Sequence, residues 1–242
     1  MKALLLLIAL VVALTDARPA HAFTACNSNF GLAPRTGATL PPKAKLVAFT
    51  DIERWQANPY TATLDGKPVN LKVTKTKFTP YYLTELVVDS DKPGTLKIFA
   101  GTDTKDKPMA TYTVKAGAVL PKQIAGTTSR YTENIRHSTV QELFDALAID
   151  LGDAPAILAH VKLRRDDQGP WKQLDLPVHA NTRIASGKSV VLVGALGCTS
   201  NYSANLLESG VDLEVTATLT DGSTVPVKLP KRYVMPKAAP QP

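Results

Sequence analysis

Short runs of alternating apolar and polar residues recur along this chain and constrain its fold more than any other feature. In VNLKVT, at 69–74, Val69, Leu71 and Val73 share one phase and polar residues occupy the other. A period of two places one face of a strand in the core and the other in water. Turn-forming stretches such as LDGKP and SDKPG separate the runs. The pattern predicts an all-β chain of the sandwich class.

The predicted strands fall into two series, separated at Leu120–Ser129, where sustained apolar periodicity is absent. The first series comprises Ala44–Phe49, Tyr60–Leu64, Val69–Thr74, Leu83–Asp89, Thr95–Ala100 and Thr111–Lys115. The second comprises Arg130–Arg136, Phe144–Leu151, Ile157–Arg165, Lys172–Val178, Ser189–Ala195, Asp212–Leu219 and Thr224–Leu229. Asp221-Gly222, before the last strand, is a strong hairpin signal. We expect two sandwich domains, at 23–122 and 128–231, and a flexible proline-rich tail at 232–242.

The segment Ser138–Leu151 fits two structures. Its apolar residues recur at helical spacing, and Gly152 follows as a stop signal. FDALAIDL, at 144–151, also alternates in the manner of a strand. Because a sandwich needs a strand before Ile157, we favour the strand and keep the helix as the alternative.

Residues 1–22 have the features of a secretory signal peptide that is cleaved. A basic residue precedes the apolar run Ala3–Leu14, which is too short to cross a bilayer core of about 30 Å. Small residues at Ala20 and Ala22 fit cleavage before Phe23. No later run in the sequence reaches spanning length, so we expect a periplasmic or secreted protein with no membrane span after cleavage.

The chain has two cysteines, Cys26 and Cys198. In an oxidising compartment they are expected to form a disulfide, and only one pairing exists. That bond closes a loop of about 172 residues, for which the chain-entropy model gives roughly 5 kcal/mol as an upper limit. Acylation of Cys26 in a lipoprotein is the weaker alternative.

Positive charge is concentrated in the first half of the chain. The formal net charge is +7, and residues 23–126 contain 14 Lys and Arg against 8 Asp and Glu. Residues 127–242 contain 12 of each. The candidate anion-binding residues are Lys67, Lys72, Lys75, Lys77 and Lys97. The alternative, which we prefer, is that these lysines keep strand edges from pairing with other chains.

We predict no catalytic residue, no metal site and no cofactor, and therefore no enzymatic activity. The histidines that follow the leader, His137, His160 and His179, lie far apart in sequence. Such scattered histidines are usually surface or packing residues. ASGKS, at 185–189, contains only the end of a phosphate-binding loop, and the sequence has no G-x-S-x-G nucleophile motif.

Two stretches resemble known domain families. GLAPRTGATLPPKAKLVAF, at 31–49, resembles the first strand of bacterial immunoglobulin-like domains of exported proteins. GVDLEVTATLTDGSTVPVKL, at 210–229, is similar to the closing hairpin of an immunoglobulin or fibronectin type III sandwich. The resemblance implies two tandem immunoglobulin-like β-sandwiches, export, and a binding or structural role. It transfers no catalytic residue.

These features predict an exported non-enzymatic protein that binds or supports an envelope or extracellular component. Its expected partner is a protein or an anionic polymer of the cell envelope, and no nucleic acid is expected; the oligomeric state stays open. The opening stretch also resembles periplasmic copper carriers, where cleavage after Ala20 would expose His21 as a ligand. Pilus-type periplasmic chaperones are the other alternative, with TPYYLTELVVD, at 79–89, as the partner-binding strand and Lys77 or Lys97 as the anchor.

Overall fold

The computed structural model describes residues 30–50, 60–78, 81–101, 104, 107–136, 141–165, 169–180, 187–196 and 199–237. Within these ranges the chain consists of nineteen β-strands and one short helix, α1 (Ala204–Glu208). The prediction of an all-β chain is confirmed. No helix in the described ranges is long and apolar enough to cross a membrane.

Strands from the first part of the chain form two sheets. They are β1 (Phe30–Ala33), β2 (Thr39–Leu40), β3 (Lys45–Thr50), β4 (Tyr60–Leu64), β5 (Lys67–Val69), β6 (Leu71–Phe78), β7 (Tyr82–Val88), β8 (Gly94–Ala100) and β9 (Ala110–Val114). Sheet 1 has the order β1-β3-β7-β6, and sheet 2 has the order β2-β9-β8-β4-β5. If the nine strands are lettered A, A′, B, C, C′, D, E, F and G, these orders are ABED and A′GFCC′. This is the strand order of an immunoglobulin sandwich.

The remaining strands form two further sheets. They are β10 (Ile124–Ala125), β11 (Thr127–Arg136), β12 (Gln141–Asp150), β13 (Ala156–Arg164), β14 (Lys172–Pro177), β15 (Val190–Leu196), β16 (Thr199–Ser200), β17 (Val211–Leu219), β18 (Thr224–Lys228) and β19 (Arg232–Tyr233). Sheet 3 has the order β11-β12-β15-β16. Sheet 4 has the order β10-β18-β17-β13-β14, and β19 pairs with β17. As in sheet 2, a short first strand runs parallel to the last strand of the hairpin, so sheet 4 is the counterpart of sheet 2.

Each pair of sheets encloses an apolar core, because alternate residues of the strands face inward. Between sheets 1 and 2 the fully buried side chains include Leu46, Leu86, Leu96, Ile98 and Tyr112. Between sheets 3 and 4 they include Phe144, Ile149, Val161, Val193 and Ala217. The prediction of immunoglobulin-like β-sandwiches is confirmed by this layering and by the strand order.

Sequence and structure agree closely on where strands lie, including the segment predicted with two alternatives, and they differ at two places. Ser138–Leu151 contains the strand β12 and not a helix within its described part, as favoured. The predicted strand Val69–Thr74 is two strands, because the chain leaves sheet 2 and enters sheet 1 at Asn70. The predicted flexible tail begins with β19, and Met235 beyond it is buried. The proposed domain limits at 122 and 128 stay a prediction.

Candidate functional site

The five candidate anion-binding lysines do not form one cluster. Lys67 and Lys97 belong to sheet 2, on β5 and β8, whereas Lys72, Lys75 and Lys77 belong to β6 at the edge of sheet 1. The sequence places Lys67 and Lys72 close together, but the change of sheet at 70 separates the strands that carry them.

One of the three lysines of β6 is already paired with a carboxylate. Lys72 already forms an ion pair with Asp89, with 3.4 Å between Nζ and the carboxylate oxygen. The side chains of Lys75 and Lys77 lie outside the described residues. The alternation in β6 is also interrupted by a register shift between Lys75 and Phe78.

Lys97 lies on the outer face of sheet 2, where its neighbours Thr63 and Phe99 are buried. In the register of sheet 2 it is directly opposite Thr63 on β4 and Thr111 on β9. Lys97 is exposed, while its chain neighbours Leu96 and Ile98 are fully buried in the core. Its ammonium group therefore projects from the outer face of the five-stranded sheet.

The equivalent surface on sheet 4 carries cross-strand ion pairs between its central strands. Lys162 on β13 lies 3.8 Å from Glu214 on β17, and Arg164 lies 2.9 Å from Asp212. The hydrogen bond from Arg164 lowers the pKa of Asp212 below its usual value. Opposite charges on facing residues stabilise adjacent strands, so these groups neutralise each other across the sheet.

His160 lies in the same surface within a hydrogen-bonded row. Its Nδ1 atom is 2.5 Å from Oδ1 of Asp175, and its Nε2 atom is 3.2 Å from Oγ1 of Thr218. A shallow groove of about 300 Å³ runs beside it, with Glu214 and Pro226 in its walls. Since both ring nitrogens are engaged, the row fixes the orientation of the imidazole, and direct cross-strand pairing of His160 with Asp175 accounts for it.

A buried aromatic cluster joins the two sandwiches. The ring of His179 lies 4.9 Å from that of Phe49 and 5.9 Å from that of Tyr81. His179 is 1% exposed, and its Nδ1 atom has no hydrogen-bond partner among the described residues. Burial lowers the pKa of His179 to about 4, so the ring is neutral at pH 7.

We call this contact the joint and define it as Ala33, Val47, Phe49, Tyr81, Leu83 and His179. The first five side chains come from sheet 1 or just before β7, yet they belong to the buried cluster of the second sandwich. Strand β3 of sheet 1 is therefore buried on both faces from Leu46 to Thr50. The backbone N–H of Lys45 also donates to the carbonyl oxygen of Thr220 at 2.6 Å, and Arg35 pairs with Asp153 at 2.9 Å.

Several predicted features lie outside the described residues. They are Cys26, Cys198 and the proposed copper ligand His21, so the disulfide and the copper carrier stay predictions. In the described part of the chain, no three His, Cys, Asp or Glu side chains are grouped to hold a metal ion. The prediction that residues 79–89 offer a strand for chaperone-like binding is wrong. These residues contain β7, which already pairs with β3 and β6 and has no free edge.

No protein-family model matches the chain, and a search of curated proteins finds no match. Among solved structures, a chimeric titin Z1Z2-Z1Z2 tandem is 12% identical and aligns over 84% of this chain and 99% of its own, with a TM-score of 0.23. Tandem Ig repeats of Dlar are 10% identical over 85% and 98%, with a TM-score of 0.26. A pullulanase from Anoxybacillus sp. LM18-11 is 8% identical over 82% of this chain and 27% of its own, with a TM-score of 0.24. The fold assignment rests on the strand order described above.

Proposed function

We propose that this chain is an exported, non-enzymatic protein whose two immunoglobulin-like sandwiches bind or support a component of the cell envelope or extracellular space. The leader at 1–22 supports export. The observation that carries the proposal is the joint, where β3 of sheet 1 contributes side chains to both sandwich cores.

The joint supports a structural or binding role through its apolar character. Domains that share only a small polar contact move freely, whereas a large apolar interface restricts their relative motion. Phe49, Tyr81 and Leu83 are each less than 7% exposed. Two sandwiches held in this way present their outer sheets at a fixed separation, as a spacer or a two-surface binding module requires.

Production of the full chain with its leader in a bacterial host tests the proposal. We expect the protein outside the cytoplasm, with an intact mass that begins at Phe23. The purified protein should then co-sediment with cell-envelope fragments, while the same protein unfolded in urea and diluted should not. Retention of the leader in the cytoplasm, or equal sedimentation with and without fragments, would contradict the proposal.

A further inference from the structure

The outer face of sheet 2 is rich in hydroxyl groups. One row across the sheet consists of Thr63, Lys97 and Thr111, which face each other directly on β4, β8 and β9. The next row consists of Thr95 and Thr113 with Thr39 of β2. Directly paired residues project from the same face of a sheet. We call these six residues the Lys97 face.

Lys97 supplies the positive charge of the Lys97 face. Lys97 forms no ion pair with any carboxylate of the described residues. Asp65 lies at one end of the sheet, where Oδ1 accepts the backbone N–H of Thr95 at 2.8 Å. In sheet 4 the strand that corresponds to β8 is β17, where Glu214 faces Lys162 of β13. Sheet 2 thus has a central cation and hydroxyl groups where its counterpart has ion pairs.

We propose that the Lys97 face binds an anionic polysaccharide. The ammonium group of Lys97 supplies a point charge for a sulfate or carboxylate, and the threonine hydroxyls both donate and accept hydrogen bonds with sugar hydroxyls. Thr39, Thr95 and Thr113 are exposed and supply these hydroxyls, whereas Thr111 is half-buried and Thr63 is buried. The inference rests on the proposed function, and it names the ligand class and the surface that binds it.

Other polyanions fit this face less well. A membrane surface is usually bound through exposed apolar side chains beside the basic ones, whereas the exposed positions here are threonine and lysine. Single-stranded nucleic acid is bound by stacking on exposed aromatic rings, and aromatic residues make up 6% of the chain. An anionic polysaccharide can be bound through a lysine and hydroxyl groups, without exposed apolar side chains or aromatic rings.

The test measures binding of the purified full chain to dextran sulfate, with neutral dextran and anionic phospholipid vesicles as the other probes. We expect binding to dextran sulfate that weakens with salt, since screening reduces the attraction between exposed charges. Lys97→Gln should weaken it at least fivefold and Thr113→Val at least twofold. Lys228→Gln is the matched control, because Lys228 is an exposed lysine on sheet 4, and it should change affinity less than twofold.

A second control removes three lysine charges from β6, at the edge of sheet 1. The triple variant Lys72→Gln, Lys75→Gln, Lys77→Gln alters β6 and should weaken binding less than Lys97→Gln alone. A larger loss in the triple variant, or an unchanged affinity in Lys97→Gln, would overturn the assignment to this face. Preference for the vesicles would overturn the polysaccharide. Absence of dextran sulfate binding would overturn the inference, while sedimentation with envelope fragments would still support the proposed function.

Discussion

The imidazole of His179 lies edge-on to the ring of Phe49, with 4.9 Å between the centroids and an interplanar angle of 67°. His179 belongs to the connection between β14 and β15 of the second sandwich, and Phe49 belongs to β3 of the first. The contact buries an ionisable ring in the joint. The stability of the protein therefore depends on the charge of one histidine at the contact between sandwiches.

Folding stability is expected to fall as pH falls from about 6.5 to about 4. In this range the unfolded chain protonates His179, with a usual pKa of 6.5, while the folded protein, with a pKa of about 4, does not. Because the unfolded state binds more protons, stability is complete above pH 6.5 and is lost on acidification, by about 3 kcal/mol at pH 4. Urea unfolding at a series of pH values measures this dependence.

The variant His179→Phe separates the pH dependence of stability caused by His179 from the pH dependence caused by the carboxylates. It keeps an aromatic ring beside Phe49 and Tyr81 but cannot take up a proton. The difference in unfolding free energy between wild type and variant should change steeply between pH 6.5 and 4. A constant difference across that range would show that His179 is not buried in the neutral form.

Loss of the Phe49 ring should uncouple the two sandwiches. Phe49→Ala removes the largest apolar side chain of the joint and should cost about 3–5 kcal/mol, as for other buried aromatic residues. We expect the wild type to unfold in one calorimetric transition and the variant in two.

Leu96→Ala is the control for this variant. Leu96 is fully buried within the first sandwich and is not part of the joint. The substitution Leu96→Ala should lower the free energy of unfolding by about 2–5 kcal/mol. It should not add a calorimetric transition. If Phe49→Ala and Leu96→Ala give the same unfolding profile, the joint does not couple the sandwiches.

Arg130 forms a partly buried ion-pair contact within the second sandwich. Its guanidinium group pairs with Asp145 at 2.6 Å and with Glu208 at 2.8 Å, and its side chain is 10% exposed. The hydrogen bond to Asp145 raises the pKa of Arg130. Asp145→Ala should cost about 1–3 kcal/mol, because it removes charge-assisted hydrogen bonds from a partly buried guanidinium group that keeps Glu208 as a partner.

Glu214→Ala is the matched exposed control for Asp145→Ala. The ion pair of Glu214 with Lys162 is longer, at 3.8 Å, and the two side chains are 62% and 49% exposed. Its loss should cost at most about 1 kcal/mol. Chemical denaturation of both variants would contradict this ranking if the two costs were equal.

Cys26 and Cys198 are predicted to be bridged, since the proposed export would place them in an oxidising compartment. Thiol titration of the unfolded, unreduced chain should find no free thiol, and titration after reduction should find two. The bond should stabilise the fold by no more than roughly 5 kcal/mol. Two free thiols before reduction would refute the pairing.

Local alternation predicted most strands because it depends on near neighbours alone. Tyr60–Leu64 was placed to the residue, and the Asp221-Gly222 hairpin is present, with Gly222 at a φ of +87° that glycine adopts without strain. The change of sheet at Asn70 has no local signal, since both strands continue the same alternation. The prediction therefore grouped Lys67 with lysines that lie on another sheet.

The joint and the Lys97 face were beyond prediction for the same reason. The burial of His179 is created by Phe49 and Tyr81, which lie 130 and 98 residues earlier in the chain. The row Thr63, Lys97 and Thr111 exists only once three strands are paired in register. The sequence identified Lys97 as a candidate anion-binding residue, and the structure shows which threonines lie beside it.

Cross-linking in intact cells that produce the full chain would show whether an exported binding protein is the correct description. A photoreactive residue in place of Thr95, on the Lys97 face, is irradiated before the cells are fractionated, and a chain labelled at Thr224 on sheet 4 serves as the reference. We predict that the chain labelled at Thr95 is recovered without its leader and attached to envelope or extracellular material. Recovery of an unprocessed, unattached chain from the cytoplasm would contradict the proposal.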